Sequence, residues 1–411
     1  MAKGATYTNP HIYLALPVLN ESKRLPALLA CLEAQKTQFH FELYVCVNQP
    51  NEWWDDASKV ELCHDNQDSI ELLQQFKGIP IHIIDKSSKG KAWIGKKHGV
   101  GFARLAAMEA ISKKAHEFDL IVSIDADTYY PENYLQSVVE CFQQHPQAIG
   151  LTNPYYHPLT GEEQRDRAIL RYETYMRYYA LNMLRTYNPY RYTAVGSAMI
   201  APLWAYRKIG GITPKMSGED FYFVQKLCKN GQIIIWNDVV VNPASRFSNR
   251  VYFGTGPAMI KGSNGDWDSY PIYKPELFDF IQQSYGAFSS LFDSEVEFPM
   301  KAFLNEIFRD NQWHIPLRNN NKTKEKFTQA CVNKVDGLRI LQYLKSNQDC
   351  VENNELILLN YINTFHFEES RHIESELGRF SFTESSIADF QKVRDFLFET
   401  ELRELKKHTL I

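Results

Sequence analysis

The strongest constraint on this chain is a rhythm in its first third. Short apolar runs that end in polar residues alternate with stretches of about twelve residues in helical periodicity. Residues 12–16 (Ile-Tyr-Leu-Ala-Leu), 41–47, 79–84 and 120–124 read as strands. Helices are expected over 24–35, up to Phe76, over 102–114, and after Pro131. Strands that alternate with helices predict a Rossmann-like, mostly parallel central sheet with helices on both faces. Ligands of such sheets bind outside the carboxyl ends of the strands. Pro17, Asn48, Asp85 and Asp125 all fall at such ends, so they are candidates for one crevice.

After Pro158 the pattern changes. A long helix rich in Arg and Tyr is expected over 161–186, strands over 193–201 and 233–241, and a helix over 221–229. From about residue 270 the chain turns helical and polar. Gly262, Gly265, Pro271 and Pro275 cluster near this change and predict a boundary between residues 1–268 and a helical C-terminal region, 269–411. The second region could bind an acceptor or mediate oligomerisation.

Composition removes several classes. A net charge of −4 argues against a general nucleic-acid binder. The seven cysteines form no Cys-x-x-Cys pair, so neither a disulfide framework nor a zinc knuckle is indicated. A reducing cytoplasm is the simplest expectation. No signal-like leader is visible, and no apolar run approaches the roughly 20 residues of a transmembrane helix. Peripheral contact with the inner face of a membrane stays open.

The chemistry centres on Asp125-Ala126-Asp127-Thr128, where the run 120–124 ends. Two carboxylates one residue apart suit a hard divalent cation, which in turn suits a diphosphate. The pair could equally be a solvated strand end with Asp127 capping the next turn. A second acidic pair, Glu219-Asp220, follows Gly218 at the start of a helix. A carboxylate there can take a proton from a hydroxyl, or it can simply face the helix dipole. The dipole is expected to keep it ionised at neutral pH, and Gly218 to allow close backbone approach. The loop 86–101 is basic and glycine-rich but lacks the phosphate-loop spacing.

The ordered set Pro17-Val18-Leu19-Asn20-Glu21, the basic glycine loop, Asp125-Ala126-Asp127 and Gly218-Glu219-Asp220 resembles the family 2 glycosyltransferases of the GT-A fold. The resemblance spans about residues 12–260. It implies an inverting transfer from a nucleoside-diphosphate sugar to a glycan, lipid-linked or small-molecule acceptor, assisted by Mn²⁺ or Mg²⁺, in cell-surface glycan or polysaccharide synthesis. It assigns the metal to Asp127 with Asp125 beside it, Asp125 also facing the ribose. It assigns the base role to Asp220, with Glu219 holding the acceptor or orienting the base. Pro17, Asn20, Glu21, Lys91 and Arg104 would contact the nucleotide.

The chain departs from the family pattern at strand two, which ends Val47-Asn48-Gln49 where many relatives carry an acidic residue. Asn48 is still expected to hydrogen-bond a base edge. Arg246 and Arg250 are candidates to clamp the diphosphate, and no histidine is present nearby to serve as a further metal ligand. The tyrosines of 172–192 suit a packed helix face with hydroxyls at its rim, or a sugar-stacking wall. Two alternatives remain at this level: a non-catalytic GT-A nucleotide-binding scaffold, and a haloacid-dehalogenase-like phosphohydrolase built on Asp125 and Asp127.

Overall fold

The computed structural model describes residues 7–249, 254–348 and 353–409, which cluster into two compact units. The first comprises residues up to Ile169 together with Tyr192–Gly265. The second comprises Leu170–Arg191 and the residues from Asp266 onward. This partition differs from a simple split at residue 268 by placing 170–191 with the C-terminal residues.

The first unit is built on a seven-stranded sheet. Its strands are β1 (Ile12–Val18), β2 (Phe41–Asn48), β3 (Ile81–Lys86), β4 (Leu120–Ser123), β6 (Gly150–Thr152), β7 (Met199–Pro202) and β8 (Ile233–Ile235). Their spatial order is β3-β2-β1-β4-β7-β6-β8. β1 runs parallel to β2 and β4, and β2 parallel to β3. β7 runs antiparallel to both β4 and β6, whereas β8 is parallel to β6. A two-residue strand β5 (Thr128–Tyr129) pairs antiparallel with β9 (Asn242–Pro243).

β1 is almost continuously apolar because it is buried on both faces, as inner parallel strands are. Leu14, Leu16 and Val18 fill one side. On the other side, Tyr13 and Ala15 join a core with Tyr44, Cys46, Ile121, Met199 and Phe223. Helix α3 (Val100–Ser112) supplies Ala103, Ala107, Met108 and Ile111 to that core. The remaining helices of this unit are α1 (Leu25–Glu33), α2 (Val60–Gln75), α4 (Tyr134–Gln144), α6 (Leu203–Lys208), α7 (Glu219–Cys228) and α8 (Thr255–Ser263), with α5 (Glu163–Arg185) beginning here. The sheet grows outward from β1 to β3 and then restarts at β4 on the opposite side of β1. That reversal opens a crevice between the carboxyl ends of β1 and β4, the usual ligand position in such sheets.

The second unit is helical: most of α5, α9 (Pro275–Ala287), α10 (Lys301–Phe308), α11 (Ile315–Asn320), α12 (Lys324–Lys334), α13 (Gly337–Ser346), α14 (Asn354–Phe365), the short α15 (Phe367–Ser370) and α16 (Glu374–Leu377), and α17 (Ile387–Thr409). Tyr178, Phe278, Tyr361 and Phe390 are among its buried aromatics. Buried Glu173 accepts from Arg177 and, at 2.7 Å, from Arg394, while Arg177 reaches Glu401 at 2.6 Å. The tyrosines of α5 are mostly core: Tyr172, Tyr175 and Tyr178 are buried, and the Tyr178 hydroxyl donates to the Tyr273 carbonyl at 2.5 Å. That places them as packing residues and not as an exposed stacking wall. Among the described residues, no helix is long and apolar enough to cross a membrane.

Candidate active site

Two arginines organise the crevice, each holding two acidic residues drawn from distant parts of the chain. The first is Arg104, on α3. Its Nε donates to Glu219 at 3.1 Å, one Nη to Asp125 at 3.0 Å, and the other Nη to the Gly196 carbonyl at 3.1 Å and to the Ser123 hydroxyl. Arg104 is only 2% exposed, so it is not a free nucleotide contact as its sequence context suggested; it lies beneath the site and is saturated by protein. Burial opposes its charge, but Asp125, Glu219 and Asp220 outweigh that cost and hold its pKa above the ordinary arginine range.

Two glycines make this arrangement sterically possible. A Cβ on Gly196 would lie 2.7 Å from an Arg104 Nη and 3.3 Å from Asp125. A Cβ on Gly101 would lie 2.3 Å from the Lys215 carbonyl and 3.1 Å from the Glu219 Cβ. Gly101 instead donates its N–H to that carbonyl at 3.2 Å, seating the segment that delivers the acidic pair. Gly218 serves differently from expectation: a Cβ there would meet nothing within 4 Å, and its φ of +77° is what calls for glycine.

The acidic pair opens α7. Glu219 is buried, and Asp220 is half-buried, its Oδ1 accepting the Phe221 N–H at 2.7 Å. Desolvation, followed by the charge of Glu219, pushes the Asp220 carboxyl up to about 7, against weaker lowering by the Phe221 N–H and Arg104. The expectation that a helix dipole would lower this pKa and keep the group ionised at neutral pH is therefore corrected: burial beside a like charge raises it.

The second organiser is Arg246. It meets Asp127 at 2.5 Å and grips both oxygens of Glu21, at 2.5 and 3.2 Å. It arrives there because β5 pairs with β9 and the Ala244 N–H donates to the Asp127 carbonyl at 3.0 Å. Asp125 and Asp127 are 32% and 18% exposed, so both carboxylates remain accessible. The loop between them and α4 is fixed by Tyr130, whose buried hydroxyl accepts the Asp125 N–H at 3.1 Å and donates to the Ser197 carbonyl at 3.2 Å.

The remaining candidates divide. Pro17 is half-buried near the end of β1. Asn20 is exposed at φ +55°, its N–H held by Asn66 at 2.8 Å. Asn66 in turn donates to Gln49 at 2.7 Å, so a buried amide chain sets the Asn20-Glu21 turn. Asn48 is 2% exposed and its amide donates to the Val18 carbonyl at 2.9 Å. It ties the ends of β1 and β2 together and does not offer a base edge a partner, which corrects that expectation. Lys91 is exposed and pairs with Asp85 at 3.2 Å, at the end of β3. Burial alone would raise the Asp85 carboxyl, but the N–H groups of Ser88 and Ser87 and the Lys91 ammonium bring it down to about 2. Arg250 lies outside the described residues.

Sequence reasoning missed Ser123, Tyr130, Gly196 and Asn66. Gly196 carried a signal, a glycine breaking an apolar run; the other three look like ordinary strand or helix residues. Among the described residues, no three His, Cys, Asp or Glu side chains converge as a preformed metal site. Asp125 and Asp127 alone still suit Mg²⁺ or Mn²⁺ of the kind that completes its shell with substrate phosphates and water.

A mostly parallel sheet with a switch-point crevice, a strand-end Asp-x-Asp and an acidic helix start together make a GT-A-like architecture. Residues 120–293, less than half of the chain, match the family described as Glycosyl transferase family group 2. No curated protein matches the chain. Among solved structures it is similar to S. aureus TarS (TM-score 0.39, 13% identity, covering 79% of this chain and 55% of that one). It is also similar to GalNAc-T7 with UDP, GalNAc and Mn²⁺ (0.35, 11%, 76% and 56%) and to a mycobacterial protein (0.34, 12%, 64% and 80%). The chain thus spans little more than half the length of TarS and of GalNAc-T7.

Proposed function

We propose that this chain is a glycosyltransferase that works by inversion, moving a sugar from a nucleoside-diphosphate donor to an acceptor hydroxyl with Asp220 as general base. The observation that carries this reading is the Arg104 bridge, which ties Asp125 at the donor end of β4 to Glu219 beside Asp220. A base with a pKa near the working pH accepts a proton from the attacking hydroxyl efficiently and is still largely unprotonated in mildly alkaline solution. Glu219, held by Arg104, keeps its position and adds its charge to the burial that raises Asp220. Attack on the anomeric carbon from the face opposite the diphosphate inverts its configuration.

Asp127, with Asp125 beside it, would hold Mg²⁺ or Mn²⁺, which when bound neutralises charge building on the departing diphosphate. Asp125 also suits a ribose hydroxyl. Arg246 adds a fixed positive charge at the same place. In this reading exposed Asn20 and Lys91, just beyond the ends of β1 and β3, would meet the nucleotide, whereas buried Glu21 would act through Arg246. A cytoplasmic or peripheral inner-membrane enzyme of cell-surface glycan synthesis fits a chain without a spanning helix among its described residues.

The test is Asp220→Asn. Sugar transfer should fall by at least about 10²-fold, while binding of a nucleoside diphosphate with Mn²⁺ persists. Transfer at the wild-type rate would remove Asp220 from the base role.

A further inference from the structure

Beside Arg246 lies a cleft of about 430 Å³ walled by Arg24, Arg165, Arg246, Thr160 and Phe247. Its size falls in the ordinary range for small-molecule sites, about 300–1,000 Å³. Among the described residues, three arginines line it and no acidic residue does. Arg24 is 42% exposed and only loosely paired, 3.8 Å from Glu21. Arg165 is 30% exposed, with its guanidinium 5.8 Å from the Phe247 ring centre. It touches Glu162 at 2.9 Å through one Nη, while its buried Nε has no hydrogen-bond partner among the described residues.

The walls are pre-set. Asp166 accepts from the Thr160 N–H and hydroxyl at 2.7 and 2.8 Å and from the Gly161 N–H at 2.9 Å. The Ser245 hydroxyl donates to the Pro158 carbonyl at 2.6 Å. A rigid, cationic, partly aromatic cleft loses little entropy on binding an organic anion, and arginine forks match phosphate oxygens.

The donor reading uses Arg246 and leaves Arg24, Arg165 and Phe247 without a task. We infer that this cleft is a phosphate subsite for the acceptor: the acceptor substrate carries a phosphate or phosphodiester group, held by Arg24 and Arg165 next to the Arg246–Asp127 contact. Calling the ligand an acceptor rests on the transfer reading above. The phosphate specificity rests only on the cleft.

The full chain and its Arg24→Gln/Arg165→Gln variant are titrated with inorganic phosphate, without divalent metal, by calorimetry. In parallel, both are titrated with UDP, GDP and dTDP in the presence of Mn²⁺. Phosphate should bind the wild type, and at least about tenfold more weakly to the variant, given two lost charge-assisted contacts. Nucleoside-diphosphate affinity should be equal in the two proteins. Two results would overturn the inference: no phosphate binding by the wild type, or a variant that loses nucleoside-diphosphate binding in step, which would give the cleft to the donor. A wild type that binds phosphate but none of the nucleotides would instead count against the transfer reading alone. Equal melting temperatures of the two ligand-free proteins guard against misfolding of the variant.

Discussion

Arg104→Met tests whether the buried guanidinium is what holds the site together. The substitution keeps much of the side-chain length and removes four polar contacts, to Glu219, Asp125, Ser123 and Gly196. Removing one partner of a buried ion pair typically costs about 3–5 kcal/mol, because the other charge is stranded. Here Glu219 is stranded in full, whereas Asp125 is 32% exposed and can recover water, so the lower half of that range applies. For a unit of this size each kcal/mol moves the melting temperature by about 2–4 °C, which gives a drop of roughly 6–16 °C by calorimetry. Arg104→Met combined with Glu219→Gln should recover part of the loss, since the stranded charge is then neutral. Sugar transfer should be lost in both. A single variant melting within about 2 °C of the wild type would refute the argument that Arg104 compensates these carboxylates.

Other outcomes follow from the same geometry. With the Asp220 carboxyl raised to about 7, kcat/KM should rise with pH through about 7 and level off above it. The same shift acts on stability. The folded state holds this proton more tightly than the unfolded chain does, so the group's contribution is full below the ordinary carboxylate pKa and is lost as pH rises through about 7. Asp220→Asn should therefore melt higher than the wild type above neutrality, and the gap should close in acid. Gly101→Ala should destabilise by about 1–3 kcal/mol in urea unfolding through overpacking, even though alanine is the better helix former by about 1 kcal/mol; a stabilised variant would contradict the 2.3 Å approach to Lys215. Asp127→Asn should abolish any Mn²⁺ dependence of nucleoside-diphosphate binding while leaving phosphate binding in the arginine cleft intact, as read by the same calorimetry.

The parts of the fold that could be read from sequence were those whose burial shows locally. β1, β2 and β4 are apolar runs sealed on both faces, and all three fall where the runs lie. β6 is three residues long and carries no periodicity, so it was invisible. The strand expected over 193–201 narrows to Met199–Pro202 because Gly196 and its neighbours leave the sheet to meet Arg104. The one expected over 233–241 ends at Ile235. Candidate site residues could be found by type and order, but their tasks could not. Arg104 looked like part of a basic helix face, since its partners lie 21 and 115 positions away. Asn48 looked available because nothing local reveals that the Val18 carbonyl occupies its amide.

The two-residue pairing of β5 with β9 has a consequence for how the site comes into being. All seven strands of the main sheet are complete by Ile235, yet Arg246 arrives eleven positions later and 225 positions after its partner Glu21. A chain that ends between those points would hold every strand of the sheet but would lack the guanidinium that reaches both Glu21 and Asp127, leaving Glu21 with Arg24 at 3.8 Å. A short antiparallel clasp thus decides whether these two carboxylates share one guanidinium.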